Sequence, residues 1–299
     1  MISGRKPLTV SETLAEGIAR IAAGYGQSAR ADAQILLAFE LGRERAWLAG
    51  HGDAFLSRAQ ADKFFEHCEK RAAGVPVAYI TGFAGFYGRE FAVNEHVLIP
   101  RPETELLVED ALTHLREAIA NSVVPAPVLT VFEAGVGSGA IACTIAAEIP
   151  HAALDATDVS ASALEIAKYN ARRLNVQSRC TFAIADVVKA YPPRRYHVVV
   201  ANLPYIPTVA LPQKPDPAGF EPRAALDGGL DGLQQYRKLL GRLPHMVRAG
   251  TLVLLEAAPP TIGTLATLTR AALPGAAVEI RHDYAGLERY VAAVAPPAA

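Results

Sequence analysis

The sequence predicts an α/β fold, in which a mostly parallel sheet of seven strands follows a small helical bundle and a β-hairpin linker. Apolar residues recur at helical spacing through the first 75 residues, and short β-rich runs punctuated by glycine fill residues 76–102. Buried strands then alternate with helices, the pattern of a parallel sheet covered on both faces. We therefore predict three regions: a helical domain over 1–75, a linker over 76–102 and an α/β domain over 103–299.

The composition narrows the class of protein. The 299 residues are 51% hydrophobic and 20% charged with a formal net charge of -1, which favours one or two globular domains without a basic surface for nucleic acid. Cys68, Cys143 and Cys180 lack metal-ligand spacing, so we expect reduced thiols and no metal site. No run is long and apolar enough for a membrane span or a signal peptide. We expect a cytoplasmic protein without direct membrane or nucleic-acid contacts; a monomer is favoured, and the oligomeric state stays open.

Three helices are predicted in the amino-terminal region. They cover residues 10–21, 31–40 and 57–73, with Thr9 or Ser11 as the first N-cap and Gly42 and Gly74 as the later helix ends. No catalytic arrangement of side chains stands out among them. A role in substrate recognition is compatible with this region.

The linker combines β-rich runs with a charged segment that two prolines stiffen. The runs cover residues 79–83, 86–93 and 97–99, and the glycines around them indicate a hairpin. Arg101 stands beside Glu103 and Glu105 at the start of a predicted helix over 104–120. These charges predict a fixed ion-pair cluster, with a structural salt bridge as the simplest form.

A glycine-rich loop between a strand and a helix predicts a ligand cradle. The strand covers residues 127–132 and the helix 141–149, with Gly135, Gly137 and Gly139 between them. Such glycines let a ligand approach backbone N–H groups at a helix N-terminus. A dinucleotide site needs G-x-G-x-x-G, whereas here glycine occupies every second position and Glu133 precedes the loop. Because a carboxylate repels pyrophosphate and attracts an ammonium group, the loop favours S-adenosylmethionine.

Two further carboxylates follow predicted strands. Asp158 ends a strand over 153–158, about 20 residues after the glycines, where a carboxylate usually binds a ribose diol. Asp186 follows a strand over 180–184 and can accept a hydrogen bond from an adenine amino group. Each acid alone could be a helix N-cap, but three acids at successive strand ends favour a cofactor site.

The chemistry is predicted to lie after the fourth strand of the sheet, which covers residues 196–200. Asn202, Leu203, Pro204 and Tyr205 follow it as a stiff loop at the carboxyl end of a buried strand, where parallel sheets bind ligands. An ordinary strand-to-turn junction is the alternative. Strands over 250–256, 277–281 and 288–294 complete the sheet, the last two as an antiparallel pair, with a helix over 261–272.

Two long motifs give the chain a family resemblance. They are Leu-Ile-Pro-Arg-Pro-Glu-Thr-Glu at 98–105 and Phe-Glu-Pro-Arg-Ala-Ala-Leu-Asp-Gly-Gly-Leu-Asp-Gly-Leu at 220–233. With the glycine loop, the acids and the Asn-x-Pro-Tyr loop, they make nearly the whole chain similar to the HemK-type release-factor glutamine methyltransferases. Members of that family are class I S-adenosylmethionine-dependent methyltransferases with a Rossmann-like fold. The family usually has Asp where Glu133 stands and Pro where Leu203 stands.

The resemblance implies a transferase of translation termination that methylates the glutamine side-chain amide in the Gly-Gly-Gln loop of peptide chain release factors. It assigns the glutamine amide to the Asn202 side chain and the Leu203 carbonyl, within a catalytic loop that includes Pro204 and Tyr205. The helical domain would grip the protein substrate, together with Glu221 and Pro222. The cofactor would be held by Glu133, Gly135, Gly137, Gly139, Asp158, Asp186 and Asn202.

Two other interpretations stay open. A diverged paralogue could use the same cofactor on another protein glutamine, or on a small amine or amide in a specialised pathway. A binding scaffold could keep the fold without methyl transfer. The glycine spacing and Glu133 disfavour a nicotinamide dehydrogenase, and the lack of excess positive charge disfavours a nucleic-acid adenine methyltransferase.

Overall fold

The computed structural model describes residues 8–24, 26, 28–121, 128–187 and 194–297. The chain divides into two compact units. The first comprises Met1–Phe83 and Pro212–Phe220, and the second comprises Ala84–Leu211 and Glu221–Ala299. Helices build the first unit, whereas the second contains the large sheet.

Five α-helices lie in the described part of the first unit: α1 (Val10–Gly24), α2 (Ala29–Leu41), α3 (Arg45–Gly50), α4 (Arg58–Ala72) and α5 (Val77–Thr81). The three predicted helices are confirmed as α1, α2 and α4. Thr9 caps α1, since its hydroxyl accepts the Glu12 N–H at 3.2 Å while the Glu12 carboxylate accepts the Thr9 N–H at 2.9 Å. Gly42 ends α2 in the left-handed region, with φ at 60°.

The linker differs from its prediction at both ends. Residues 79–81, predicted as β-rich, belong to α5, because the N–H groups of Tyr79 and Ile80 bond the Pro76 carbonyl at 3.0 and 3.2 Å. Residues 97–99, also predicted as a β-rich run, lie outside any strand; there Val97 is buried and closes a turn onto the Asn94 carbonyl at 3.1 Å. In both places local hydrogen bonds and burial replace strand pairing.

The predicted hairpin is present between these ends. It consists of β1 (Phe83–Phe86) and β2 (Arg89–Ala92), which form a two-stranded sheet. Tyr87 and Gly88 make the turn with φ values of 49° and 69°, so the predicted run over 86–93 bends in its middle.

The second unit contains a seven-stranded sheet with helices around it. Its strands are β3 (Leu129–Ala134), β4 (Ala152–Asp158), β5 (Cys180–Ile184), β6 (Tyr196–Ala201), β7 (Val247–Glu256), β8 (Ala277–His282) and β9 (Glu288–Val294). Its helices are α6 (Glu105–Ala120), α7 (Ala140–Glu148), α8 (Ala161–Arg173), α9 (Arg223–Leu226), α10 (Gln234–Leu240), α11 (Leu243–Met246) and α12 (Pro259–Ala272). Residue 127, predicted as the first of a strand, lies outside the described residues.

The strand order is β5-β4-β3-β6-β7-β9-β8. Strand β9 is antiparallel to both β7 and β8, and the other six strands run in one direction. The predicted mostly parallel sheet is therefore confirmed. Strand β3 lies between β4 and β6, so the direction of chain progression reverses beside it. A crevice forms at the carboxyl ends of the strands at such a switch point, which is where open α/β sheets bind ligands.

Candidate active site

A cavity of about 370 Å³ lies at the carboxyl ends of β3, β4 and β6. Most of the residues that the sequence predicts for the site line this cavity: Glu133, Gly135, Gly137, Asp158, Asp186, Asn202, Leu203, Pro204 and Pro222. Three other predicted site residues, Gly139, Tyr205 and Glu221, are not part of its lining. The fold thus collects residues from distant parts of the sequence around one space.

The glycines of the loop after β3 have different roles. All three have positive φ, at 72° for Gly135, 52° for Gly137 and 81° for Gly139. A Cβ on Gly139 would lie 3.2 Å from the Cα of Ala167, so that glycine permits helix packing. A Cβ on Gly137 would meet no protein atom within 4 Å. Gly137 therefore leaves open space on the cavity side, as a bound ligand requires.

Glu133 places a buried carboxylate at the end of β3. Its Oε2 accepts the N–H of Ala142 at 2.8 Å, in the first turn of α7. Burial raises the pKa of the Glu133 carboxyl well above its usual range, and the Ala142 hydrogen bond opposes that rise. A cation in the cavity would stabilise the ionised form, so this position suits an ammonium group.

Asp158 connects β4 to the glycine loop. Its Oδ2 accepts the Gly137 N–H and its Oδ1 the Ser160 N–H, both at 2.9 Å. Burial raises the pKa of Asp158, and these backbone hydrogen bonds oppose the rise. Because each carboxylate oxygen has a second lone pair, Asp158 can still accept hydrogen bonds from hydroxyl groups in the cavity.

Asp186, at the end of β5, has a different environment. Its side chain is about half exposed, and its two oxygens accept hydrogen bonds from Lys238 Nζ at 2.9 and 2.8 Å. Both residues line the cavity. Lys238 was not predicted from the sequence, since it lies on α10, far along the chain.

The donor and acceptor groups fit S-adenosylmethionine. Two carboxylates can serve an ammonium and a ribose diol, and Gly137 leaves the backbone open to a ligand. Apolar side chains complete the lining and suit an adenine ring: Phe86, Leu98, Val136, Val159 and Val187.

Asn202 belongs to a buried chain of hydrogen bonds. Its Nδ2 donates to Thr104 Oγ1 at 3.0 Å, and Thr104 Oγ1 donates to Glu256 Oε2 at 2.7 Å. Burial raises the pKa of the Glu256 carboxyl to about 7. Sequence reasoning missed Thr104 and Glu256, although Thr104 lies in the motif at 98–105 and Glu256 ends an apolar strand.

Leu203 is held through its backbone and its side chain. Its N–H donates to the Tyr236 hydroxyl at 3.0 Å, and that hydroxyl donates to the Glu256 carbonyl. The side chain is only 4% exposed. Since proline has no N–H, a proline at position 203 could not make the bond to Tyr236.

Tyr205 is not part of the cavity lining. It is a half-buried neighbour of the core between the sheet and α10, and burial raises the pKa of its hydroxyl above the usual range. Its predicted packing over a flat acceptor group stays a prediction.

The two long motifs meet through an ion pair. Glu221, whose side chain is 2% exposed, accepts hydrogen bonds from the Ile99 N–H at 3.2 Å and from the Arg101 guanidinium at 2.5 Å. The predicted cluster of Arg101 with Glu103 and Glu105 is wrong. Those two acids turn to other partners, because Glu105 accepts the Tyr87 N–H at 2.8 Å and Glu103 faces Arg289 at 3.9 Å.

The described residues contain neither a membrane-spanning helix nor a metal-binding cluster. No helix there has the length and apolar character needed to cross a membrane. Within the same residues, no group of three or more His, Cys, Asp or Glu side chains is arranged to hold a metal ion.

Known proteins resemble this chain over most of its length. The family model described as "PrmC N-terminal domain" matches residues 12–82, and "Methyltransferase small domain" matches residues 111–211. The release factor glutamine methyltransferase of Moorella thermoacetica is 37% identical over 282 residues, covering 94% of this chain and 97% of that protein. The protein of the same name from Burkholderia pseudomallei is 40% identical over 263 residues, covering 86% and 89%.

Among solved structures, the hMettl16 catalytic domain in complex with MAT2A 3'UTR hairpin 1 shares the fold. It has a TM-score of 0.50 and 14% identity, and the match covers 84% of this chain and 88% of that one.

Proposed function

Because the chain belongs to the release factor glutamine methyltransferase family, we propose that it transfers a methyl group from S-adenosylmethionine to a glutamine side-chain amide of a peptide chain release factor. The supporting observation is the Asn202-Leu203 loop, which borders the same cavity as the glycine loop and its carboxylates. We further propose that the acceptor glutamine lies in a Gly-Gly-Gln loop, which the resemblance of the two long motifs supports.

An amide nitrogen is a poor nucleophile, because its lone pair is delocalised into the carbonyl. When bound, S-adenosylmethionine supplies an electrophilic methyl group on a positively charged sulfur. Asn202 Oδ1 and the Leu203 carbonyl can accept the two N–H groups of the glutamine and hold its nitrogen in one orientation. Such positioning can contribute up to ~7–11 kcal/mol toward a barrier, so the proposal assigns no general base.

We assign the cofactor-binding roles by position at successive strand ends. Glu133 takes the ammonium group, Asp158 the ribose hydroxyls and Asp186 the adenine amino group, while Gly135, Gly137 and Gly139 shape the loop. The burial of Glu133 and the open space at Gly137 support these assignments.

We also assign recognition of the protein substrate to the helical region over 1–75, with Glu221 and Pro222 near the acceptor. We further propose that the enzyme acts as a cytoplasmic monomer. We also propose that it makes no direct nucleic-acid contacts, which the net charge of -1 supports. The region limits 1–75, 76–102 and 103–299 belong to the same proposal.

The test is transfer of labelled methyl groups to a release factor and to its variant with Gln→Ala in the Gly-Gly-Gln loop. Label in the first and not in the second is the expected result. Label in neither, with cofactor binding intact, would indicate a paralogue with another acceptor. Loss of both transfer and cofactor binding would indicate a scaffold.

Asn202→Ala tests the loop itself. We expect transfer to fall by about 100-fold or more, because the acceptor amide loses its orientation. Binding of S-adenosylmethionine should persist. Asn121→Ala is the matched control, since Asn121 is an exposed asparagine at the end of α6. Full activity of Asn202→Ala would contradict the role of Asn202.

A further inference from the structure

The amide of Asn202 has two ends of similar shape and opposite hydrogen-bonding character. Its Oδ1 only accepts, and its Nδ2 only donates. The proposed reaction requires Oδ1 to face the acceptor nitrogen, because Nδ2 there would oppose the N–H groups of glutamine. Some feature of the protein must therefore select one of two orientations that differ by a rotation of the side-chain amide.

The hydrogen-bond chain behind Asn202 supplies that selection. An ionised Glu256 carboxylate has no hydrogen to donate, so the Thr104 hydroxyl donates its hydrogen to Glu256 Oε2 at 2.7 Å. The Thr104 oxygen is then left with lone pairs and can only accept from Asn202, at 3.0 Å. The Asn202 side chain is also a hydrogen-bond partner of the Glu256 carboxylate itself. Both neighbours accept hydrogen bonds, so both require Nδ2 to face them.

We propose that Thr104 and Glu256 are positioning residues that hold the Asn202 amide with Oδ1 toward the acceptor nitrogen. This inference rests on the proposed function. Neither residue needs to touch the reacting atoms, since each acts through Asn202. Thr104 is 4% exposed and Glu256 is 3% exposed, so water does not compete strongly for these hydrogen bonds.

The selection depends on the charge of Glu256. Burial is the main cause that raises its pKa to about 7, and Glu103 raises it further. Hydrogen bonds from Thr104 and Asn202 and the nearby Arg289 oppose the rise. The hydroxyls of Tyr205 and Tyr236 also face Glu256, and both have raised pKa values and stay neutral.

Protonation of Glu256 would remove the selection. A neutral carboxyl can donate to Thr104, whose hydroxyl could then donate to Oδ1 of a rotated Asn202. The wild-type rate constant should therefore rise with pH through about 7, as the ionised form of Glu256 becomes populated.

The first test compares Thr104→Val with Thr104→Ser. Valine keeps the size of threonine and removes the hydroxyl, whereas serine keeps the hydroxyl. We expect Thr104→Val to lower kcat by about 10- to 100-fold, with a smaller change in KM for the release factor and an unchanged Kd for S-adenosylmethionine. Thr104→Ser should stay within about threefold of the wild type. A purely structural role would instead lower Tm and leave kcat per folded molecule unchanged.

The second test is Glu256→Gln, assayed between about pH 6 and pH 8. Glutamine keeps the shape of glutamate but can both donate and accept, so it no longer imposes one direction on the chain. We expect kcat about tenfold lower at the upper end of this range and no rise through pH 7. Wild-type kcat and an unchanged pH profile in both Thr104→Val and Glu256→Gln would overturn the inference. If the wild type itself fails to methylate the release factor, the proposed function is overturned first, so the two failures are distinguishable.

Discussion

Alanine at Gly137 should impair cofactor binding far more than folding. Gly137 has φ at 52°, where an alanine costs about 1–2 kcal/mol because its Cβ crowds the carbonyl. No protein atom lies within 4 Å of the added Cβ, so no steric cost is added to that strain. In a chain of this size the loss corresponds to a fall in Tm of roughly 2–3 °C.

The effect on the cofactor has a separate cause. Gly137 lines the cavity, and its N–H donates to Asp158 at 2.9 Å, which keeps the loop close to the proposed ribose site. A methyl group there occupies space that a ligand must enter. We expect Kd for S-adenosylmethionine to rise by at least ~10-fold, or about 1.4 kcal/mol.

Isothermal titration calorimetry with S-adenosylmethionine, together with thermal unfolding, measures both effects. Gly42→Ala is the matched control, because Gly42 also has positive φ, at 60°, with no atom within 4 Å of an added Cβ. It ends α2 in the other unit of the chain. The two variants should lose similar stability, and only Gly137→Ala should lose affinity. Wild-type affinity in Gly137→Ala would refute the view that this loop holds the cofactor.

Three further predictions concern charged residues and the loop proposed to hold the acceptor. Glu133→Gln should weaken S-adenosylmethionine binding and remove the part of its pH dependence that comes from Glu133. In the wild type, Kd should fall as pH rises through the raised pKa of Glu133, and a flat wild-type profile would contradict this. Leu203→Pro should lower the free energy of unfolding by at least about 1 kcal/mol in chemical denaturation, since it removes the N–H that donates to Tyr236 and part of a buried side chain. Unchanged stability would argue against both contacts. Glu256→Gln should unfold at a higher temperature than the wild type above pH 7. The folded state favours the neutral form of the wild-type Glu256 carboxyl. The wild type therefore loses up to about 3 kcal/mol of its free energy of unfolding as pH rises from 4.5 to about 7, whereas glutamine does not ionise. A variant less stable than the wild type above pH 7 would contradict this.

Local signals were sufficient to predict most of the fold. Strand β5 (Cys180–Ile184) has the predicted bounds, and β4 and β9 differ from theirs by at most one residue. Each of these strands is an apolar run that ends at turn or cap residues. The apolar pattern and the turn residues therefore predict the same strand bounds. Helix α5 (Val77–Thr81) was mistaken for β structure because five residues are too few for periodicity to separate helix from strand.

The candidate site was predictable where parallel strands end. A parallel sheet brings its carboxyl ends to one edge, so Glu133, Asp158 and Asn202 could be expected together from the order of strands alone. Their partners could not be expected, because the contacts are remote in sequence. Thr104 lies 98 residues from Asn202 and 152 from Glu256. Only the packed structure shows which polar groups face each other across such separations.

The partners of the motif at 98–105 show which contacts its residues make. Arg101 pairs with Glu221 of the second motif, and three residues later Thr104 accepts a hydrogen bond from Asn202 of the loop proposed to be catalytic. Pro102 begins the short 3-10 turn that carries Thr104, so the backbone between the two contacts has little freedom. The segment thus contacts two loops at once through a rigid backbone. Its charged side chains face partners outside the segment and do not pair with one another.

Leu203 connects the two halves of the site in the same way. A Cβ on Gly135 would lie 2.9 Å from Leu203 Cδ2, so the absence of a side chain at Gly135 makes room for leucine rather than for ligand. The loop proposed to hold the cofactor and the loop proposed to hold the acceptor are therefore in direct packing contact. A smaller residue at position 203 would leave a void beside Gly135, and the lost packing of a buried leucine typically costs about 2–5 kcal/mol. A change at Leu203 should consequently alter cofactor affinity as well as acceptor binding, because both loops pack against the same side chain.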